Sequence, residues 1–241
     1  MKKVAILIVC FVAFIAKAQN EVVVQLEKIE ELKVYKGLTV NLIKSEEQKL
    51  EILGEKAADV TFKNKNGTLK ISLNLGSSFD SNKVTINLYY NSIIPEFDVN
   101  QGATITSDQT FKQKQLILSA QDGGIFKLDL AVDYLKIKGL TGGIMYLEGV
   151  VKSQNINLVS GAIYNGLNLQ SEQAIVYVST GAISSIQVTE VLDAKAKFGG
   201  NVTYIGRPKS VATEESLGGK VTKATSSSTE LPKENATSKE S

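Results

Sequence analysis

The sequence predicts an all-β fold, a single-stranded parallel β-helix of about 18–21 residues per coil. It places a β segment ahead of the coils and a disordered tail behind them. A Gly-Gly or Gly-Ala pair recurs at Gly102-Ala103, Gly123-Gly124, Gly142-Gly143, Gly161-Ala162, Gly181-Ala182 and Gly199-Gly200, at intervals of 21, 19, 19, 20 and 18 residues. A seventh pair, Gly218-Gly219, follows 19 residues on. Five residues before each first glycine stand Phe97, Leu118, Ile137, Ile156, Val176 and Ala194, and three before it Val99, Ala120, Gly139, Leu158, Val178 and Ala196. Polar residues such as Asp98, Ser119, Lys138 and Asn157 alternate with them, which is the period of a half-buried strand. After each pair comes a second short apolar-polar run, for example Ile144-Met145-Tyr146-Leu147.

Antiparallel hairpins and coils of a solenoid both accommodate strand, glycine corner, strand. Hairpins do not need the same residue type at the same register in every copy, whereas stacked coils do, because equivalent positions lie about 4.8 Å apart. The small residue after each glycine (Ala103, Gly124, Gly143, Ala162, Ala182, Gly200) is such a column, and it favours the β-helix. Glycine suits the corner because it takes positive φ without a steric penalty.

Taken in order, residues 1–18 read as a secretory leader. Lys2 and Lys3 precede the apolar run 4–15, and Ala16-Lys17-Ala18 is a small-x-small cleavage signature. That run of 12 residues is short of the roughly 20 a spanning helix needs. The leader also holds Cys10, the chain's one cysteine, so the exported chain is expected to carry no disulfide. Residues 19–31 read as a linker, with the spacing over 24–33 allowing a turn or two of helix. Candidate strands follow at 32–35, 38–43, 49–53, 60–63, 69–73 and 84–89, with Asn66-Gly67 favouring a type I′ hairpin turn. They are expected to form first coils or a cap over an otherwise open sheet edge, with a loop at 76–82. The β-helix domain is expected over 32–222. Residues 223–241, rich in Ser, Thr, Lys and Glu without aromatics, read as the disordered tail.

Beyond the leader's Lys2, Lys3 and Lys17 the chain has 24 basic and 25 acidic residues, and Arg207 is its one arginine. Nothing in that balance suggests a nucleic-acid partner.

The run Asn66-Gly67-Thr68-Leu69-Lys70-Ile71 is followed by Gln101-Gly102-Ala103-Thr104-Ile105, Ser160-Gly161-Ala162-Ile163 and Thr180-Gly181-Ala182-Ile183. Gly199-Gly200-Asn201-Val202-Thr203-Tyr204-Ile205-Gly206-Arg207-Pro208 closes the series. In order and spacing these motifs resemble the head GIN domain of auto-transporter adhesins, over roughly residues 32–222. The resemblance implies a right-handed β-helix in a secreted bacterial protein of the cell envelope, periplasmic or on the outer surface. It brings no catalytic residues or cofactor with it.

Six residues after the first glycine stand Asp108, Asp129 and Glu148 in three successive copies. Stacked on neighbouring coils, they would hold a Ca²⁺ ion through oxygen ligands or serve as acid and base on a polysaccharide. Their alternative is a charged strand end that keeps the surface soluble. The column then breaks at Leu167. Tyr146, Tyr164, Tyr177 and Tyr204 are candidate sugar-stacking residues, although tyrosine is ordinary on a sheet surface. Histidine is absent, which excludes His-dependent triads and His-ligated zinc. The sequence therefore favours a non-enzymatic adhesin-like binding or scaffold domain, with a carbohydrate-active β-helix enzyme as the alternative. Its partner would be an envelope, host-surface or polysaccharide ligand, and homo-oligomerisation is left open.

Overall fold

Each coil turns on two consecutive residues in the left-handed region, such as Thr141 (φ 43°) with Gly142 (φ 72°) and Ser160 (φ 53°) with Gly161 (φ 72°). Two positive φ values define a type I′ turn. In the computed structural model, which describes residues 21–74 and 84–224, these corners stack. The Gly142 N–H donates to Ser160 O (3.1 Å), Gly161 to Thr180 O (3.1 Å), Gly181 to Phe198 O (3.2 Å) and Gly199 to Leu217 O (3.2 Å). The result is a β-solenoid of about seven turns, with 68% of the described residues in strands. The leader 1–18, the loop 76–82 and the tail beyond residue 224 lie outside the described residues.

The chain runs β1 (Glu21–Gln25), β2 (Glu31–Val34), β3 (Thr39–Lys44), β4 (Lys49–Leu53), β5 (Val60–Lys65), β6 (Thr68–Leu73), β7 (Thr85–Tyr90), β8 (Glu96–Val99) and β9 (Thr104–Thr106). It continues through β10 (Phe111–Ala120), β11 (Ile125–Gly139), β12 (Ile144–Leu158), β13 (Ile163–Ser179), β14 (Ile183–Lys197), β15 (Asn201–Ile205), β16 (Ser210–Ser216) and β17 (Lys220–Lys223). From β8 onward every pairing is parallel, and Phe97, Leu118, Ile137, Ile156, Val176 and Ala194 form one file of Cα partners. All six are buried. On the other side of Phe97 the file continues through Leu32 and Leu69, both buried. On the opposite wall Ile105, Phe126, Met145, Tyr164, Ser184 and Val202 form the facing file.

The small column after each glycine has a steric cause. A Cβ on Gly143 would lie 2.2 Å from Ala120 O, and one on Gly124 2.3 Å from Val99 O. Where alanine stands instead, the corner opens. The turn bond is 3.1, 3.3 and 3.2 Å at Ala103, Ala162 and Ala182, against 2.9 Å at Gly124, Gly143 and Gly200.

The N-terminal segment departs from the expected order. The β2–β3 coil lies between the β6–β7 coil and the β8–β9 coil, since β2 pairs with both β6 and β8 and β3 with both β7 and β9. A later coil is thus inserted outside an earlier one. Beyond it the parallel ladder ends in antiparallel strands, with β4 on β7, β1 on β4 and β5 on β6. The expected hairpin turn is present, with Asn66 at φ 51° and Gly67 at φ 81°. Residues 19–31 are not simply a linker, because the β-branched run Val22-Val23-Val24 adds β1 to the cap. Nor does 24–33 form a helical turn: Ile29 is buried and β2 begins at Glu31.

At the other end, Thr213 and Glu215 take the inward register positions after Ala194 and Ala196. Both are exposed, for no further coil among the described residues covers them. Glu215 folds its carboxylate back to accept the Val221 N–H at 2.7 Å. Among the described residues no helix is long and apolar enough to cross a membrane.

Candidate functional site

Side chains on the outward face of the sheet stack in files one strand apart. Next to the corner runs an aliphatic file, Ile125, Ile144, Ile163 and Ile183. Two residues further along each strand comes a polar file, Asn87, Asn41, Thr106, Lys127, Tyr146 and Asn165. Beyond that Asp129 stands beside Glu148, and Glu148 beside Asn168. The second and third files enclose a cleft of about 270 Å³, lined chiefly by Thr106, Lys127, Asp129, Tyr146, Glu148 and Asn168. A second cleft of about 330 Å³ over Asn41, Asn87 and Gln109 shares Thr106 and Ser107 with it. The two clefts adjoin at Thr106 and Ser107 and together touch six neighbouring strands, an outward surface that makes up the trough.

The local chain explains why the sheet is hollowed here. After Thr106 the backbone leaves the sheet in a bend, with Ser107 Oγ accepting the Gln109 N–H (3.2 Å) and Gln109 Oε1 accepting the Lys44 N–H (2.9 Å). Thr110 then donates its hydroxyl to Asp129 Oδ2 at 2.5 Å. Gly149 gives Asp129 its room, because a Cβ there would lie 2.6 Å from Asp129 Oδ1. On the far side β13 carries an extra residue between Asn165 and Asn168, where Asn165 Oδ1 accepts the Leu167 N–H (3.3 Å). Bulges of this kind re-aim side chains.

The three predicted carboxylates do not assemble as a trio. Asp129 and Glu148 are neighbours, but Asp108 sits exposed on the 107–110 bend, and Thr110 takes the place beside Asp129. Among the described residues no three acidic side chains are grouped to hold a metal ion. The column continues past Glu148 into Asn168, not Leu167, because of the bulge.

Nor do the four tyrosines share a surface. Tyr146 is 44% exposed in the trough. Tyr177 projects from the other sheet face, half-buried beside Asn157 and Lys195. Tyr164 and Tyr204 point inward and are buried, so they are corrected from ligand surface to core. Burial holds the Tyr164 phenol far above its ordinary range, so it remains a neutral donor. Its hydroxyl bonds Gln154 Oε1, Gln154 Nε2 bonds Ser171 Oγ, and Ser171 Oγ bonds Gln187 O, at 2.9, 2.8 and 2.6 Å. Gly166 leaves the space, since a Cβ there would lie 2.2 Å from that hydroxyl.

Sequence reasoning missed Lys127, Asn165 and Asn168. The first two share a register position with Tyr146, four residues after their own first glycines. Asn168 is displaced by the bulge, whose signal is the one 20-residue interval between Gly161 and Gly181.

The model of the family described as "Putative auto-transporter adhesin, head GIN domain" matches residues 28–208. A crystal structure of a putative adhesin from Bacteroides fragilis NCTC 9343 superposes with a TM-score of 0.76 at 15% identity, covering 87% of this chain and 98% of that one. A putative adhesin from Parabacteroides merdae ATCC 43184 gives 0.60 at 13%, and a putative lipid binding protein from Parabacteroides distasonis ATCC 8503 gives 0.63 at 13%, each with the same coverage. At these identities the likeness is one of fold. No curated protein matches the chain.

Proposed function

Since the chain belongs to the head GIN domain family of auto-transporter adhesins, we propose that it is an exported, non-enzymatic binding protein of the bacterial envelope that holds its ligand in the outward trough. One observation carries this reading. The Lys127 ammonium, the Tyr146 hydroxyl and the Glu148 carboxylate line one concave site, and among the described residues none of them has a hydrogen-bond or ion-pair partner. Polar groups held on a rigid sheet without internal partners are ready to bond a ligand at little ordering cost. A polar lining also fits a hydrophilic ligand better than the lipid named for one of the similar structures. The leader at residues 1–18 supplies export, and the absence of histidine removes most general-base chemistry.

The test is to express the full chain in an envelope-bearing bacterium, fractionate the cells, and apply the purified product to envelope extracts. The reading expects cleavage after residue 18, recovery outside the cytoplasm, and retention of envelope material that Tyr146→Ala abolishes. An uncleaved chain confined to the cytoplasm, or retention indifferent to Tyr146, would overturn it.

A further inference from the structure

We propose that the trough takes an uncharged glycan chain lying along the solenoid axis, with one sugar ring seated on Tyr146. This rests on the trough being the binding site, as above, and adds the class and direction of the ligand.

The direction follows from shape. The polar file from Asn87 to Asn165 crosses six strands in register, a length of about 24 Å at ~4.8 Å per strand. It is only a few side chains wide. A single small molecule would leave most of it empty, whereas an extended polymer meets a fresh set of polar groups at each strand.

The class follows from the side chains. Asn41, Asn87, Asn165 and Asn168 bring amides that both donate and accept, matching hydroxyls that do the same. The Asn41 amide donates to Asn87 Oδ1 (3.0 Å), and Asn87 donates to Glu51 Oε2 (2.8 Å), so the file is aligned before any ligand arrives. Two carboxylates at Asp129 and Glu148, with Asp108 on the adjoining bend, face the one ammonium of Lys127. That excess of negative charge repels uronates, sulfates and phosphates, while carboxylates accept well from neutral hydroxyls. Tyr146 is the trough's aromatic platform, flanked by Lys127 and Asn165 in the same file. The aliphatic rim at Ile144 and Ile163 offers apolar contact to the C–H face of a ring.

The probes are neutral oligosaccharides of four to eight units (mannan, glucan and xylan fragments), with oligogalacturonate and heparin fragments as the anionic set. Binding is read by calorimetry on the full chain freed of its leader. At least one neutral fragment is expected to bind, with affinity rising with length up to five or six units. Tyr146→Ala and Glu148→Gln should each weaken it tenfold or more. Tyr134→Ala, on an exposed tyrosine of another strand face, should leave it unchanged, and unaltered melting curves show that the variants fold. Selective binding of the anionic fragments, equal binding by Tyr146→Ala, or no binding of any neutral fragment would each overturn the proposal. If envelope retention still depended on Tyr146 after such a result, the trough would remain a binding site for another class of ligand.

Discussion

Tyr164 and Gly166 stand two residues apart on one strand, and the space left by the missing Cβ of Gly166 holds the Tyr164 hydroxyl. That hydroxyl anchors a buried polar chain through Gln154 and Ser171 in an otherwise aliphatic core. Tyr164→Phe should leave Gln154 Oε1 unpaired and lower stability by about 1–3 kcal/mol. Gly166→Ala should cost more alone than in the Tyr164→Phe background, because removing the hydroxyl relieves the closest contact of the new Cβ, at 2.2 Å, and leaves the one with the ring carbon at 2.5 Å. Urea unfolding of the two single variants and the double variant measures that coupling, and strict additivity would refute it.

The paired glycines of one corner should fail for different reasons. Gly142 sits at φ 72°, and a methyl group on its Cα would meet nothing within 4 Å, so Gly142→Ala meets only backbone strain, about 1 kcal/mol. Gly143→Ala places its Cβ 2.2 Å from the Ala120 carbonyl and should cost more, up to about 3 kcal/mol. The corners at Ala103, Ala162 and Ala182 show the remedy, a turn bond lengthened by a few tenths of an ångström. Equal losses in denaturant midpoint would contradict the steric account.

Parity along the strand was the legible part. Alternation placed Leu118, Ile137, Ile156 and Val176 in one interior file because every coil repeats the same register. The same parity assigns Tyr164 and Tyr204 inward, with Phe126 and Leu147. Residue type, which suggests an aromatic surface, pointed the wrong way. The trough was only half legible, since Asn168 reaches Glu148 through a bulge that shifts register by one residue. A bend likewise removes Asp108 from its column, and Ser107 and Thr110 hydroxyls hold that bend by contacts no periodicity encodes.

Calcium should not stabilise the protein. With Asp108 on the bend and Thr110 donating to Asp129, no trio of carboxylates forms among the described residues. A calcium site at a thousandfold excess of ligand over Kd would add about 4 kcal/mol, a shift of several degrees. Melting curves in millimolar calcium and in chelator are expected to superimpose, and a rise with calcium would restore the carboxylate column.

Acid should break the ion pairs that brace the last coil. Glu214 on β16 bonds Lys197 Nζ at 2.7 Å and Lys195 Nζ at 3.3 Å, and these lysines hold its carboxyl below the ordinary 4.5. A depressed acid contributes stability above its unfolded pKa and loses it as pH falls through the folded value. The gain is modest at so exposed a site and weakens with salt. Carboxyl NMR should give a Glu214 midpoint under 4.5 that rises toward it in Lys197→Ala. A midpoint at or above 4.5 in the unaltered chain would contradict the pairing.

The insertion of a later coil outside an earlier one can be tested with cysteines, since the one native cysteine is Cys10, within the proposed leader. Lys33 is the Cα partner of Lys70 on one side and of Asp98 on the other. Lys70 and Asp98 are therefore two strands apart, about 10 Å, beyond the roughly 7 Å that a disulfide can bridge. Coils stacked in chain order would instead place Lys70 between Lys33 and Asp98, beside both, and would part Lys33 from Asp98. Lys33→Cys with Asp98→Cys, in the chain beginning at residue 19, is expected to crosslink under mild oxidation, whereas Lys70→Cys with Asp98→Cys is not. Mass spectrometry of the tryptic peptides identifies the bond. Crosslinking of the second pair alone would mean that the chain stacks in sequence order and that β6–β7 does not lie outside β2–β3.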